Sequence, residues 1–337
     1  MGLFLFILHA VIRLYTININ YKNELITLLL LLGVSLQAQS VKFGVITDIH
    51  PDIMHDATAR LQDFVTAAKK QKVDFIIELG DFCMVKEKNQ PFVDLWNSFE
   101  GDKYHVLGNH DMDNETKANY IKFVGAVDRY YSFDKGDYHF IVMDPNNLKE
   151  GDKYTPYAYG NFYVDAKKRA WVDPEQVEWL KEDLKNTDKR CIVFSHQCFE
   201  NSVSNREEIR AIFEAENARV GYTKVVAALS GHDHTDYQKE INGIAYIQIN
   251  SASNQWVGSD YQCNTRYTPA INKAYPSLKY VVPYKEALYA IVTLKKNSLS
   301  VKGKKSEFVA PTPEDLKIPK ALHSCPLVPW ISDFKIE

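Results

Sequence analysis

Apolar residues fall along this chain in short blocks divided by polar turns, and the blocks switch between strand-like runs and helical spacing. Val41 to Thr47 (Val-Lys-Phe-Gly-Val-Ile-Thr) reads as a buried strand. Ala57 to Lys70 carries helical spacing in Leu61, Phe64, Val65 and Ala68. Val73 to Leu79 is a second apolar strand ended by Gly80-Asp81, which completes a strand–helix–strand unit of the kind that builds a parallel sheet. The alternation continues with a short helix over Pro91 to Phe99 and a strand over Tyr104 to Leu107. Tyr130 to Phe133 and Tyr138 to Met143 flank Lys135-Gly136-Asp137, a hairpin signal. Asp173-Pro174 opens a helix with Val177, Leu180 and Leu184 on one face and Asp173 as its cap. Cys191 to Phe194 predicts a strand, Glu207 to Asn217 a helix, and Val225 to Ser230 a further strand.

The last third changes character. Tyr237 to Glu240 and Ile244 to Ile249 predict antiparallel strands around Asn242-Gly243, and Ala287 to Leu294 with Leu299 to Lys302 predict another hairpin. Between them lies a long polar and aromatic segment, Asn250 to Lys285, with Trp256, Tyr261, Tyr267, Tyr275, Tyr280 and Tyr284. It holds too many aromatics for a disordered loop, so 250–285 is a candidate substrate loop. Its rings suit stacking on a nucleobase or another flat group; the alternative is that they pack the loop onto the sheet. Residues 311–337 read as a carboxy-terminal tail.

Composition sets outer bounds. The 337 residues are 45% apolar and 25% charged, an ordinary globular balance. A net charge of -3 provides no basic field for long nucleic acids, so no nucleic-acid partner is expected. Leu25 to Leu36 is an apolar stretch with Lys22 ahead of it and Gln37-Ala38-Gln39-Ser40 behind, the parts of a secretory signal over residues 1–38 with cleavage after Ala38. The protein is therefore expected to be exported, periplasmic or secreted. The stretch is shorter than the ~20 apolar residues of a membrane span. A second apolar run, Leu3 to Ile12, leaves a retained membrane anchor open. Cys83, Cys191, Cys198, Cys263 and Cys325 form no disulfide framework, and Cys263 with Cys325 is the one pair considered for a bridge.

Five short runs carry the chemistry: Asp48-Ile49-His50, Gly80-Asp81, Gly108-Asn109-His110-Asp111, Ser195-His196 and Gly231-His232-Asp233-His234. Each brings oxygen or imidazole donors to the carboxyl end of an expected strand, where ligands gather in parallel sheets. Singly, each is as compatible with a turn or a cap. Together, in this order, they supply the inventory of a two-metal centre: a carboxylate to share and separate His, Asp and Asn donors. Two metals ~3.5–4 Å apart neutralise phosphoryl oxygens and furnish a hydroxide near neutral pH, which phosphate-ester cleavage requires. His9, His55, His105, His139 and His323 lie outside these runs and are assigned no chemistry.

At these residues the chain resembles the calcineurin-like metallophosphoesterase superfamily, with its D-x-H, G-D, G-N-H-[DE], lone His and G-H-x-H pattern, over Val41 to about His234. The resemblance implies a four-layer αββα sandwich of two mixed sheets, with a catalytic domain over 41–310. It implies one metal held by Asp48, His50, Asp81 and His234, a second held by Asp81, Asn109, His196 and His232, and Asp81 bridging. His110 would donate a proton to the leaving oxygen and Asp111 would orient it. The cofactor implied is two divalent transition metal ions, with Mn, Fe and Zn all compatible with the donors. The implied reaction is hydrolysis of a small phosphodiester or phosphomonoester, nucleotide-type substrates included, by a hydroxide held between the metals.

Two subclasses depart from this pattern. Purple acid phosphatases replace the first His by Gly and place a Tyr three residues after the bridging Asp, where this chain has His50 and Met84. Protein serine/threonine phosphatases carry an Arg-Gly shortly after Gly-Asp, and none occurs in Gly80 to Lys86. The compact phosphodiesterases and phosphatases remain. A nuclease and a non-catalytic metal-binding module are the competing readings, and metal analysis separates the second from an enzyme.

Overall fold

Both faces of the central strands are apolar, so the sheets they build have to be covered on both sides. The computed structural model describes residues 40–296, 298–322 and 325–337. The signal segment read over 1–38, His9 and His323 lie outside the described residues. The strands are β1 (Val41–Ile46), β2 (Phe75–Glu78), β3 (Asp102–His105), β4 (Tyr131–Lys135), β5 (Tyr138–Val142) and β6 (Asn147–Glu150). They continue with β7 (Lys153–Pro156), β8 (Arg190–Phe194), β9 (Val225–Ser230), β10 (Tyr237–Ile241), β11 (Ile244–Gln248) and β12 (Asn254–Trp256). The last are β13 (Val281–Pro283), β14 (Ala290–Lys295), β15 (Ser298–Gly303), β16 (Ala321–Leu322), β17 (Cys325–Pro326) and β18 (Phe334–Ile336).

Two six-stranded sheets run β18-β15-β14-β1-β2-β3 and β10-β11-β9-β8-β5-β4. In the first, β1, β2 and β3 are mutually parallel while β14, β15 and β18 pair antiparallel. In the second, β5, β8, β9 and β11 are parallel, with β4 and β10 antiparallel at the edges. Alternation along each strand then divides the core into three slabs. Phe43, Val45, Phe75 and Val292 of the first sheet meet Phe140, Val142, Phe194 and Leu229 of the second. Phe43 stacks on Phe75 at 4.8 Å and sets its edge to Phe140 and Phe194 across the gap, at 5.9 and 5.7 Å. On the far side of the first sheet, Ile46 and Ile76 are covered by helices Ala57–Gln71, Gln90–Asn97 and Lys117–Val124. On the far side of the second, Ile141 and Val193 are covered by helices Pro174–Lys185 and Arg206–Val220. This is the αββα sandwich that the family resemblance implies.

Three departures matter. Residues 311–337 are not a tail outside the domain: β18 pairs Leu299 with Ile336 at the edge of the first sheet, and Ile331 is buried in the slab between the sheets. A three-residue Phe-Lys-Ile strand is too short to stand out by period. All five cysteines are free thiols, so Cys263 and Cys325 do not bridge. Third, the 250–285 segment is anchored from the helix side. Arg60, ion-paired with Asp56 at 2.8 Å, donates to the backbone oxygens of Ala252 and Tyr284 at 3.3 and 2.6 Å.

Two of the histidines outside the five runs, His105 and His139, have carboxylate partners. His105 lies 2.8 Å from Glu78, with both side chains buried. His139 bridges Asp134 and Asp183 at 2.7 and 2.9 Å. Burial opposes its charge, but the two carboxylates outweigh burial and raise its pKa. A raised folded-state pKa stabilises fully below the unfolded value near 6.5 and loses that contribution as pH climbs through the folded value. His139→Gln therefore lowers the melting temperature more at pH 6 than at pH 9.5, measured by thermal denaturation. Equal losses at both pH values would rule the ion pairs out as the cause.

Candidate metal centre

The parallel strands of both sheets end at one rim, and each of the five runs is the loop that leaves one of them. Asp48 and His50 follow β1, Asp81 follows β2, Asn109 and His110 follow β3, His196 follows β8, and His232 and His234 follow β9. Asp48, His50, Asp81, His232 and His234 all have left-handed backbones, with φ between 49° and 73°. Such conformations cost about 1–3 kcal/mol each away from glycine and persist only where the surroundings fix them. Here they are fixed by cross-strand bonds: Asp48 N–H to Gly80 O at 3.1 Å, Gly231 N–H to His196 O at 3.0 Å, and Ser251 Oγ–H to Asp48 O at 2.8 Å.

Close backbone approach explains two of the glycines. A Cβ on Gly108 would meet the Asp81 nitrogen at 2.1 Å, and one on Gly231 would meet Thr47 Oγ1 at 2.1 Å. Gly108→Ala is expected to push Asp81 aside. The variant should lose both bound manganese and about 1–3 kcal/mol of stability, read by elemental analysis and denaturant melts.

The side chains converge into two groups that could each hold an ion: Asp48, His50 and His234, and Asp81, His196 and His232. Asp81 Oδ2 lies 3.2 Å from His196 Nε2 and 3.7 Å from His50 Nε2, so one oxygen faces both groups. His234 Nε2 lies 3.3 Å from Asp48 Oδ1, and His232 Nδ1 lies 3.2 Å from His196 Nε2. The outer shell sets which atoms point inward. His196 Nδ1 lies 2.7 Å from Leu79 O and His234 Nδ1 lies 2.8 Å from Asn254 O, which assigns the proton to Nδ1 and leaves each Nε2 as a lone-pair donor. Asp48 Oδ2 accepts from Thr47 Oγ1 at 2.6 Å and from His232 N–H at 3.0 Å.

Two atoms test whether these residues suit a metal. Asp48 Oδ1 and Asn109 Oδ1 are buried and have no hydrogen-bond partner. Buried oxygens left without a donor cost about 1–3 kcal/mol each, so a cation beside them removes a penalty that the fold otherwise carries. The electrostatics agree. Burial opposes charge on His196, yet the Asp81 and Asp48 carboxylates outweigh it and lift its pKa to about 10. Burial dominates at His50 and pushes it down to about 4. Burial also works against the charges on Asp48 and Asp81, but the neighbouring histidines hold both carboxylates below their ordinary range. Positive charge is wanted between these carboxylates, and an oxygen-plus-imidazole donor set suits a divalent transition metal.

His110 stands apart from the ligand groups. Its backbone N–H donates to Asp81 Oδ1 at 2.8 Å, while its ring is a third exposed and edges toward His50 at 5.6 Å. The orienting part expected of Asp111 falls instead to Asp113, whose Oδ2 lies 2.9 Å from His110 Nδ1. Asp111 is fully buried and turned away from that ring. Its oxygens collect the backbone N–H groups of Gly108, Asp81, Phe82 and Cys83 at 2.8–3.2 Å, tying the second and third loops together. The i,i+3 spacing of His110 and Asp113 on one helical turn is the signal that would have found this pair. Tyr163 Oη donates to Asp113 Oδ1 at 3.1 Å. Burial opposes charge on His110, but Asp81 and Asp113 raise its pKa to about 9.

A cavity of about 490 Å³ opens over the site, lined by His50, His110, His232 and His234 together with Trp256, Leu322 and Cys325. The aromatic segment divides between its two readings. Trp256 lines the cavity and is 45% exposed, whereas Tyr284 is buried and donates to Asn250 Oδ1 at 2.9 Å. Tyr267 and Tyr275 pack on the helix-side core, and Tyr261 packs with Val257 and Val282.

A strand-end cluster of this kind on two stacked mixed sheets defines a binuclear metallohydrolase. The calcineurin-like phosphoesterase family profile matches residues 41–236, and the chain belongs to that family. Among its relatives is a manganese-dependent ADP-ribose/CDP-alcohol diphosphatase of Arabidopsis thaliana, 24% identical over 219 residues, covering 53% of this chain and 70% of that protein. The Oryza sativa subsp. japonica protein of the same name is 26% identical over 255 residues, covering 57% and 77%. A dimetal phosphatase from Danio rerio shares the fold, with a TM-score of 0.55 at 15% identity over 81% of this chain and 99% of that one. The protein is thus a metal-dependent phosphoric ester hydrolase whose cofactor is a pair of divalent transition metal ions.

Proposed function

We propose that the protein hydrolyses small nucleotide-type diphosphate esters, a nucleoside diphosphate joined to a sugar or an alcohol. The observation that carries this reading is the 490 Å³ cavity, whose lining combines the half-exposed Trp256 with residues of both ligand groups and includes no Lys or Arg. That volume suits a compact ligand, and an indole is a surface on which any nucleobase stacks. The names of the two plant relatives support the same class of substrate.

Asp48, His50, Asp81 and His234 would hold one ion, and Asp81, Asn109, His196 and His232 the other. When bound, the pair supplies Lewis acidity that neutralises phosphoryl oxygens and acidifies water. The chain's own residues do the rest. Asp81, facing both groups, sets their spacing. His110, protonated because Asp81 and Asp113 favour its charge, presents a proton toward the leaving oxygen, and Asp113 fixes which ring nitrogen carries the other proton. Trp256 positions the base. Trp256→Ala is expected to raise KM for nucleotide-type substrates about 5–100-fold, from the ~1–3 kcal/mol of a base stack. Steady-state assays check this, and an unchanged KM would remove Trp256 from the base site.

The reading is tested by turnover of the Mn²⁺-loaded protein on ADP-ribose, a CDP-alcohol, a cyclic nucleotide and p-nitrophenyl phosphate. The diphosphate esters should have the highest kcat/KM. A preference for the cyclic nucleotide or the simple monoester would reject it. Export of the protein, supported by Lys22 and the apolar run ending near Ala38, belongs to the same proposal. Amino-terminal sequencing of the mature protein from its native host should begin near Gln39.

A further inference from the structure

A second, smaller cavity of about 160 Å³ adjoins the ligand groups, and Trp256 is not among its lining residues. Asn109, His232, Arg169 and Gln197 are among the residues that line it. His232 and Ser202 line both cavities, so the two are neighbours across the second ligand group. Three observations single this place out. First, no Lys or Arg lines the large cavity or the small recess beside Asp52 and Asp113, so Arg169 is the one Lys or Arg side chain in these three cavities at the ligand groups.

Second, Arg169 is held by its backbone alone. Its N–H donates to Ala166 O at 3.1 Å and its oxygen accepts from Ser204 Oγ at 2.6 Å, while no carboxylate among the described residues pairs with its guanidinium. Its neighbour Lys168, by contrast, is committed to Glu150 at 2.6 Å. Third, Gln197 is buried at 2% exposure. Its Nε2 donates to Asn146 Oδ1 at 2.8 Å, but its Oε1 has no partner.

We infer that Arg169 binds the second phosphoryl group of a diphosphate ester and Gln197 the sugar or alcohol beyond it, with the reacting phosphorus at the metal ligands and the nucleoside against Trp256. This rests on the functional reading above and sharpens it to the two-phosphate length of the substrate. A diphosphate ester carries one anionic charge on each phosphate. The ligand groups take up the charge on the reacting one, and the other needs a cation that the large cavity does not contain. Guanidinium binds phosphate oxygens in a two-pronged geometry that an ammonium cannot reproduce. Gln197 Oε1 would accept a hydrogen bond from a hydroxyl of the sugar or alcohol beyond that phosphate. Ala166, exposed to solvent, also lines this cavity, so that group can extend outward.

The test compares ADP-ribose with the p-nitrophenyl ester of AMP, which presents the same nucleoside with a single phosphate. Arg169→Ala should lower kcat/KM for ADP-ribose about 10–100-fold, mostly through KM, the loss expected when one charged hydrogen-bond partner is removed. The ratio of kcat/KM between the two substrates should fall at least about tenfold, and Arg169→Lys should recover only part of it. Binding of α,β-methylene-ADP to the Mn²⁺-loaded protein, measured by calorimetry, should weaken in parallel. Equal losses on both substrates, or no loss of methylene-ADP binding, would overturn the subsite. Manganese content and melting temperature report whether Arg169→Ala is intact, and Arg169→Gln, closer in size, serves if it is not. Wild-type protein that turns over neither substrate would reject the functional reading, and the binding comparison would still decide the role of Arg169.

Discussion

Asp81→Asn should abolish metal binding and turnover together. The substitution keeps the shape of the side chain, and Asn can still accept the His110 N–H that Asp81 Oδ1 takes at 2.8 Å. What it removes is the anionic Oδ2 lying 3.2 and 3.7 Å from the imidazoles of the two groups. Without that charge the site loses the carboxylate oxygen that would be shared between two ions, and a neutral amide is a poor bridge between two cations. The variant is expected to retain well under one metal per chain after desalting and to lose at least ~10³-fold in kcat/KM, a transition-state loss of about 4 kcal/mol. Its melting temperature without metal should be close to that of metal-free wild type. An active, fully loaded Asp81→Asn protein would disprove the bridging assignment.

His110→Ala should separate the two properties. Its imidazole is held by Asp113 rather than by a ligand group, so metal content should equal that of wild type while kcat falls about 10²–10⁴-fold, the usual worth of a positioned general acid. The loss should be greatest on substrates with poor leaving groups, because a leaving oxygen of high pKa depends most on protonation. Asp113→Asn should give a smaller loss and move the alkaline limb of the pH–rate profile downward, since Asp113 is one of the charges raising the His110 pKa. Loss of metal in His110→Ala would return this residue to the ligand set. An unshifted profile in Asp113→Asn would strip Asp113 of its orienting part.

The site was more legible than its surroundings because the chemistry sits in short, contiguous runs. Asp48, His50 and His234, and Asp81, His196 and His232, come together in space as the order of strand ends suggests, and Asn109 lines a small cavity with His232. Five of them stand at left-handed positions where Asp and His are tolerated better than bulky residues, so the local pattern and the backbone agree. Asp111 shows where reading by motif falters. The acid next to His110 in sequence points elsewhere on a tight helical turn, and the side chain three residues on, Asp113, is the one alongside. Arg169 and Gln197 carried no local signal at all, because what distinguishes them is the lack of a partner in three dimensions.

The fold followed the same division. Long apolar runs such as Val41 to Ile46 and Val225 to Ser230 gave their strands directly, and Asp173 caps its helix by accepting from Gln176 N–H. The β6–β7 hairpin, the helix over Lys117–Val124 and the three-residue β18 were silent. Their elements are short, and their burial is decided by tertiary neighbours rather than by period.

The central claim is that one chain binds two catalytic metals through these seven side chains. Elemental analysis of the wild-type protein, reconstituted with Mn²⁺ and desalted, tests it most directly. About two manganese ions per chain is the expected result. A chain that retains none, while folded and melting cooperatively, would contradict it.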